Sequence, residues 1–344
     1  MSALCKSPCL RHTKNLLYSE KYRYRVKNMF RLGVAVKILG RGGLRARDGR
    51  RAENAPHLSV SLLLVREVLL YLAAQQIGCY RLADDLLPYL GDGRYPEVAR
   101  QIAESAALLD DTGTLAQAHG IRLSIHLPLW VTLATTDAAI VARSVAIISA
   151  RAQLLDGLRC GPEGVLVLHV GGTHSDKAAA LRRWAARYLQ LPHAVRQRLA
   201  LEADDNGFTF SEVLWLHQAT GVPIVFDALH HRLNNPEQVP MSMALALALA
   251  SWPPGVRPKV HFSTQRTEAH LLPARHGAAQ QVVAPQLGQH ADFVDPGEFV
   301  AFLRAARGLA AFDIMLEAKA ADLALLRLRA DVARIAPELV GVVS

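Results

Sequence analysis

The 344-residue sequence predicts an α/β protein, a single (β/α)8 TIM barrel with a basic N-terminal extension. Eight short apolar runs recur along the chain, and segments of helical hydrophobic period separate them. Joining parallel strands needs a crossover, which a helix supplies, so this alternation predicts a parallel sheet. No glycine-rich phosphate turn follows the first run, which argues against a doubly wound open sheet and for closure into a barrel.

The predicted strands and helices follow in order. RLGVAV (31–36) is the first strand, and a helix over 59–76 follows, where VSLLLVREVLLYLAA places Arg66 and Glu67 at helical spacing. CYRL (79–82) leads to a helix over 96–119, IRLSIH (121–126) to one over 136–156, and GVLVLHV (164–170) to one over 176–190. RLALE (198–202) precedes a helix over 210–220, and VPIVFD (222–227) precedes one over 240–250. PKVHFS (258–263) precedes a helix over 296–308, and FDIMLE (312–317) is followed by a last helix over 319–335. No repeat or linker interrupts residues 29–344, which read as one barrel domain. Residues 1–28 read as a basic, disordered extension, and Met29 before FRLGVAV is a candidate start.

Composition bounds the function. With 51% apolar residues the chain can fill a sizeable core. No continuous run of 18 apolar residues occurs, which predicts no membrane partner. Residues 1–30 lack the apolar segment of a secretory signal, and the four cysteines Cys5, Cys9, Cys79 and Cys160 are too few for a disulfide scaffold. The cytoplasm is the expected location. Cys5, Cys9 and His12 make only a poor metal site on such an arm. The net charge of +9 is local: residues 1–30 and 31–52 each carry seven Lys or Arg against one acid, so the rest of the chain is net negative. A basic partner surface is therefore expected only near the N-terminus, above all in GRGGLRARDGRR (40–51) with Arg41, Arg45 and Arg47.

A barrel gathers its chemistry at the C-terminal ends of its strands. Here those ends carry His126, His169, Glu202, Asp227 with His230 just beyond, Lys259 and His261 together, and Glu317; His290 lies on the loop between the last two strands. Lys259 and His261 are two residues apart and point the same way, while Val260 and Phe262 face a packed layer. An edge strand with a solvated lysine is the competing reading of that run. Histidines and carboxylates converging on one rim have the composition of a multinuclear site for divalent ions such as zinc, manganese or iron. An ion-pair cluster around Lys259 is the alternative, since carboxylates crowded at a barrel mouth are costly unless paired or metal-bound.

These residues resemble the UV damage endonucleases, a family of metal-dependent barrel endonucleases. The resemblance runs from about Arg31 to Val332 and rests on RLSIH, HVGGTHSDKAAALRRW, RLALEADD, GVPIVFDALHH, PKVHFS and FDIMLEAKAADLALLRLR in this order. It implies a cluster of two or three divalent ions, manganese first with zinc or iron as alternatives, held by His126, His169, Glu202, Asp227, His230, His261, His290 and Glu317. It also implies that Lys259 is carboxylated and joins the cluster, which would turn a misplaced cation into an anionic ligand. Other positions depart from the family. The strand-end histidine is followed by Leu127, Pro128, Leu129 and Trp130 in place of Pro-Gly-Gln and an aromatic. The tyrosine after the first Leu-Gly becomes Val34, the asparagine after Glu202 becomes Ala203, and a serine pair after Arg81 becomes Ala83 and Asp84. Phosphodiester cleavage is thus better supported than specificity for UV photoproducts.

The implied activity is metal-assisted nicking of damaged double-stranded DNA, on the family's 5′ side of the lesion, by a monomer. Glu202 and Lys259 are the expected catalytic residues, with Glu202 as a bridging ligand because a carboxylate has two oxygens. Arg41, Arg45, Arg47, Arg81, Lys177 and Lys319 are expected at the DNA backbone, and Leu129 with Trp130 as an apolar wedge. Solvated lysines, and a loop burying Leu129 and Trp130, are the plainer readings of those positions. Two rival functions remain: a metal-dependent sugar isomerase or epimerase on a related barrel, and a catalytically impaired DNA-binding descendant.

Overall fold

A computed structural model describes residues 30–42, 44–91, 93–172, 175–272 and 280–343. The extension over 1–28, with Cys5, Cys9 and His12, and the candidate start Met29 lie outside the described residues. Eight parallel strands close a barrel: β1 (Phe30–Ala35), β2 (Cys79–Leu82), β3 (Arg122–His126), β4 (Leu166–His169), β5 (Leu199–Glu202), β6 (Ile224–Asp227), β7 (Lys259–Phe262) and β10 (Phe312–Leu316). The circle runs β1-β10-β7-β6-β5-β4-β3-β2 and closes where Val34 pairs with Tyr80. A separate antiparallel hairpin, β8 (His270–Leu272) and β9 (Gln281–Val283), stands between β7 and β10.

Helices cover the outside: α1 (Leu58–Ala74), α2 (Ala106–Ala118), α3 (Ala138–Gly157), α4 (Lys177–Gln190), α5 (Phe210–Thr220), α6 (Met241–Ala250), α7 (Pro296–Ala305) and α8 (Ala321–Ile335). Carboxylate caps fix several starts, because orphan N–H groups of a first turn need acceptors. Asp137, Asp176 and Asp295 cap α3, α4 and α7, and Thr209 with Glu212 forms a capping box on α5. The helix expected over 96–119 is instead broken into a 3-10 turn Pro96–Arg100, a single turn Gln101–Glu104 and α2, with Ser105 between the last two.

Strand alternation sorts the side chains into two sets. Phe30, Leu32, Val34, Val260, Phe262, Phe312, Ile314 and Leu316 are buried toward the helices. Phe262 meets Phe299 and Phe302 of α7 at ring separations of 5.1 Å, and burying each such side chain stabilises by roughly 1.5–3 kcal/mol. The opposite set fills the barrel. Near its N-terminal end Asp313 accepts from Arg31 at 2.7 Å and from Arg122 at 2.8 Å, with Arg257 at 2.7 Å. Gly33 lies above Arg31 on the same face, where an added Cβ would come within 2.5 Å of the Cys79 side chain. Val165, Val167, Ala200 and Val225 fill the facing wall with Trp252. Polarity returns at the C-terminal mouth.

Helix α3 is, among the described residues, long and apolar enough by length and composition to cross a membrane, with a mean hydropathy of 1.5. It packs here as a barrel helix, burying Ile147, Ile148, Leu154 and Leu155, and its buried Arg151 donates to the Asp84 carbonyl at 3.0 Å.

Candidate metal centre

Glu202 ends β5 with no exposed surface, and four histidines surround its carboxylate. His126 Nε2 lies 2.9 Å from one oxygen and His169 Nε2 3.7 Å; His261 Nδ1 lies 3.0 Å and His230 Nδ1 3.3 Å from the other. Each comes from a different strand end or its following turn, so closure of the barrel assembles the group. Asp227 ends β6 and caps the short helix Ala228–Leu233 through Oδ1, which accepts from the His230 N–H at 2.8 Å. Glu317 follows β10, where Arg81 donates to Oε1 and His261 Nδ1 lies 3.5 Å away.

Donor atoms group into three overlapping sets: His126, His169 and Glu202; Glu202, Asp227 and His230; Asp227, His261 and Glu317. Within each set the atoms lie within 4.8 Å of one another. Neighbouring donors on one octahedral ion stand about 3 Å apart, so the shorter of these spacings fit a shared cation. His290 stands beside the third set, its Nδ1 2.7 Å from the Glu317 carbonyl and 3.8 Å from the Glu317 carboxylate.

Hydrogen bonding makes the test sharper. His126 Nδ1 is 3.0 Å from the Leu127 carbonyl while Nε2 faces Glu202. Both partners only accept, and a neutral imidazole has a single N–H. A second proton is disfavoured, because burial lowers the pKa of His126 even against Glu202. A cation held by His126 and Glu202 would resolve the conflict. At His230 and His290 the carbonyls of Ala203 and Glu317 hold Nδ1, which also lies 3.3 Å from Glu202 in the first and 3.8 Å from the Glu317 carboxylate in the second. A carbonyl contact of this kind would orient the imidazole for metal through Nε2. Asp227 Oδ2 and His261 Nε2 are buried with no hydrogen-bond partner among the described residues, as unspent ligands would be.

Electrostatics point the same way. Burial works to raise the pKa of Glu202, but His261, His126, His169 and His230 outweigh it and hold the carboxyl well below its usual range. Glu317 is likewise held low against burial by Arg81 and His261. Burial lowers the pKa of His230, but Asp227 and Glu202 prevail and push it up to about 11. Asp227 is raised, by burial first.

Lys259 sits one inward position below His261, as β7 pairs Lys259 with Asp313 and His261 with Met315 on β10. It is 1% exposed, donates to Ser124 Oγ, and burial followed by Arg122 lowers its pKa to about 7. The solvated edge lysine is therefore excluded. Val36, just past β1, has φ of 55°, a conformation strained for a β-branched residue, and lines a mouth cavity of about 460 Å³ together with His126, His169, Leu129, Asp205 and His290. Leu129 and Trp130 are 63% and 48% exposed beside that cavity, so they are not buried under a loop. Arg143 stacks 4.7 Å over the Trp130 ring.

Basic residues divide. Arg41, Arg45 and Lys319 are exposed, while Arg47 pairs with Asp85 at 2.7 Å and Arg81 is engaged by Glu317. Lys177, the first residue of α4, donates to the Gly207 carbonyl at 2.8 Å and to Glu212 at 3.2 Å. Sequence reasoning missed Asp204, which lies 2.9 Å from His169 Nδ1; its place two residues after Glu202 was the available signal.

The description UV-endonuclease UvdE belongs to the family model that matches residues 53–341. A UV DNA damage endonuclease of Bacillus cereus (strain G9842) is 31% identical over 265 residues, covering 76% of this chain and 77% of the relative. One of Bacillus mycoides (strain KBAB4) is 30% identical over 272 residues, covering 78% and 79%. Among solved structures, SacUVDE superposes with a TM-score of 0.73 at 24% identity, over 89% of this chain and 99% of its own. A D-psicose 3-epimerase from Clostridium cellulolyticum H10 gives 0.51 at 11% identity, over 83% and 84%. Those two likenesses show the barrel fold alone, whereas the first two findings identify the lineage: the chain belongs to the UV-endonuclease UvdE family.

Proposed function

We propose that this chain is a metal-dependent repair endonuclease that nicks double-stranded DNA on the 5′ side of UV photoproducts or other distorting lesions, acting as a monomer in the cytoplasm. The observation that carries this reading is the fully buried Glu202 ringed by four histidines at the barrel mouth of a UvdE-family chain. His126, His169, Glu202, Asp227, His230, His261, His290 and Glu317 would hold two or three divalent ions, manganese first, with Glu202 and Asp227 each shared between donor sets. When bound, such ions polarise the phosphate, lower the pKa of water and stabilise the leaving oxygen.

The chain's own residues do the rest. Arg81 fixes Glu317, and backbone carbonyls fix the tautomers of His126, His230 and His290. A lysine amine titrating at about 7 is partly neutral at physiological pH, the form that reacts with carbon dioxide, which supports carboxylation of Lys259. Exposed Leu129 and Trp130 suit a wedge against an unstacked base step, and Arg41 and Arg45 with Lys319 suit phosphate contacts. Arg47 and Lys177 would have to exchange Asp85 and Glu212 for phosphate. Both described cysteines, Cys79 and Cys160, are free, in keeping with a reducing compartment.

The test is an end-labelled duplex carrying one defined UV photoproduct, incubated with manganese beside its undamaged counterpart. A cut immediately 5′ to the lesion that Glu202→Ala abolishes is the expected result. Duplex binding without any cut, from protein shown to hold metal, would instead establish a binding descendant.

A further inference from the structure

Resting on the nuclease reading above, we propose that Val36 is a specificity-determining contact, its isopropyl group set to meet the apolar face of the nucleotide beside the scissile phosphate. Among the described residues Val36, with φ of 55°, is the one β-branched residue at positive φ. A branched Cβ crowds the backbone in this left-handed region, whereas glycine enters it at no steric cost. A valine persists there only where its surroundings over-determine the conformation, and such outliers gather at functional sites.

Three hydrogen bonds impose it. The Val36 N–H donates to the Arg81 carbonyl at 2.9 Å, the Val36 carbonyl accepts from the Tyr80 hydroxyl at 2.9 Å, and the Lys37 N–H donates back to the Ala35 carbonyl at 2.6 Å. Tyr80, on β2, is fully buried, so its hydroxyl is a fixed anchor. The turn ends β1 at Ala35 and leaves Val36 half-buried in the wall of the mouth cavity.

That cavity has two unlike arcs. Its apolar lining residues, Val36, Leu82, Leu127, Pro128 and Leu129, all end or follow β1, β2 and β3. His169, His230, His290 and Glu317 line it from β4 round to β10, and His126 stands at the junction. A nucleotide is divided in the same way: its phosphate is anionic and belongs with cations, while sugar and base offer apolar faces. With the phosphate at the candidate ligands, the adjoining sugar and base reach the arc that Val36 begins.

The test compares Val36→Gly with Val36→Ile, in manganese, on a duplex carrying one defined UV photoproduct and on its undamaged counterpart. Glycine relieves the strain and removes the contact, whereas isoleucine keeps both. Val36→Gly is expected to melt at or above the wild-type temperature, to raise KM on the damaged duplex about tenfold and to leave kcat within about threefold, as loss of a ground-state apolar contact does. Its Kd for the undamaged duplex stays within about twofold, because phosphate contacts dominate that binding. Val36→Ile keeps KM within about threefold of wild type. An unchanged KM in Val36→Gly would overturn the proposal. So would a KM rise that comes with a lowered melting temperature, since Val36 would then serve packing, or an equal rise in Val36→Ile, which keeps the contact. If wild-type protein neither binds nor nicks either duplex, the nuclease reading itself fails, a result distinct from normal nicking with KM unmoved by Val36→Gly.

Discussion

Glu202 cannot be replaced by a polar look-alike. Its carboxylate is buried without exposed surface and balances histidines on both oxygens, so Glu202→Gln removes the anion while keeping the shape. Loss of an outer partner of a metal site typically costs 10–100-fold, so loss of a shared ligand is expected to lower nicking by more than about 100-fold. Metal content by atomic absorption, measured beside the rate, separates lost ions from lost chemistry. On the proposed ligation, protons and metal would compete at His230. With its pKa pushed up to about 11, the imidazole is protonated at neutral pH in the metal-free protein, and ligation expels that proton. Manganese affinity is therefore expected to strengthen as pH rises from about 6 to 8, and calorimetry in buffers of different ionisation heat should register proton release. At Lys259, isotopically labelled bicarbonate should give a carbamate carbon resonance in wild type and none in Lys259→Met. Absence of that resonance in the active wild type would sink the carboxylation.

At the scale of elements, the basic loop is hung from one buried acid. Asp322 of α8 accepts from the Leu39 N–H at 2.7 Å, the Gly40 N–H at 3.0 Å and the Tyr71 hydroxyl at 2.7 Å. Gly40 is confined there, since an added Cβ would stand 2.6 Å from Asp322 and 2.7 Å from Tyr71. Releasing Arg41 and Arg45 through Asp322→Ala is expected to weaken DNA binding and flatten its salt dependence, while nicking at saturating DNA persists. Binding measured across a salt series decides it. This tether was not legible in the sequence, because it joins residues 283 and 251 positions apart and two of its donors are backbone groups. The barrel strands were legible, because apolar runs of strand length alternate with helices. The β8–β9 hairpin was missed since each strand has only three residues, too few to show a period, within a Pro- and Gly-bearing stretch. The candidate ligands at strand ends stood out as polar residues closing apolar runs, whereas the carbonyl contacts that orient the imidazoles leave no trace in residue type.

Across the whole molecule, the two ends of the barrel hold opposite kinds of charge cluster, and they should fail in opposite ways. At the N-terminal end Asp313 is buried among Arg31, Arg122 and Arg257, and its partners are protein cations already in place. Burial works to raise its pKa, but those guanidinium groups outweigh it and hold the carboxyl below its usual range. A depressed carboxylate contributes stability that is fully present above the unfolded value of about 4 and is lost as pH falls through the folded value. Asp313→Asn leaves three arginines without their shared anion, a cost of about 3–5 kcal/mol by analogy with broken buried pairs. Its melting temperature should drop, and its stability difference from wild type should shrink below about pH 4, while each folded molecule still nicks DNA. The mouth behaves in reverse. Saturating manganese should stabilise wild type, by about 2.7 kcal/mol at a hundredfold excess over Kd, and chelation should remove that increment. Glu202→Gln should lose the manganese response and, because its buried carboxylate pairs with the surrounding histidines, should also lower the metal-free melting temperature. Thermal melts of both variants, with manganese and with chelator, distinguish the two ends. A manganese response preserved in Glu202→Gln but lost in Asp313→Asn would place the ions at the wrong end of the barrel.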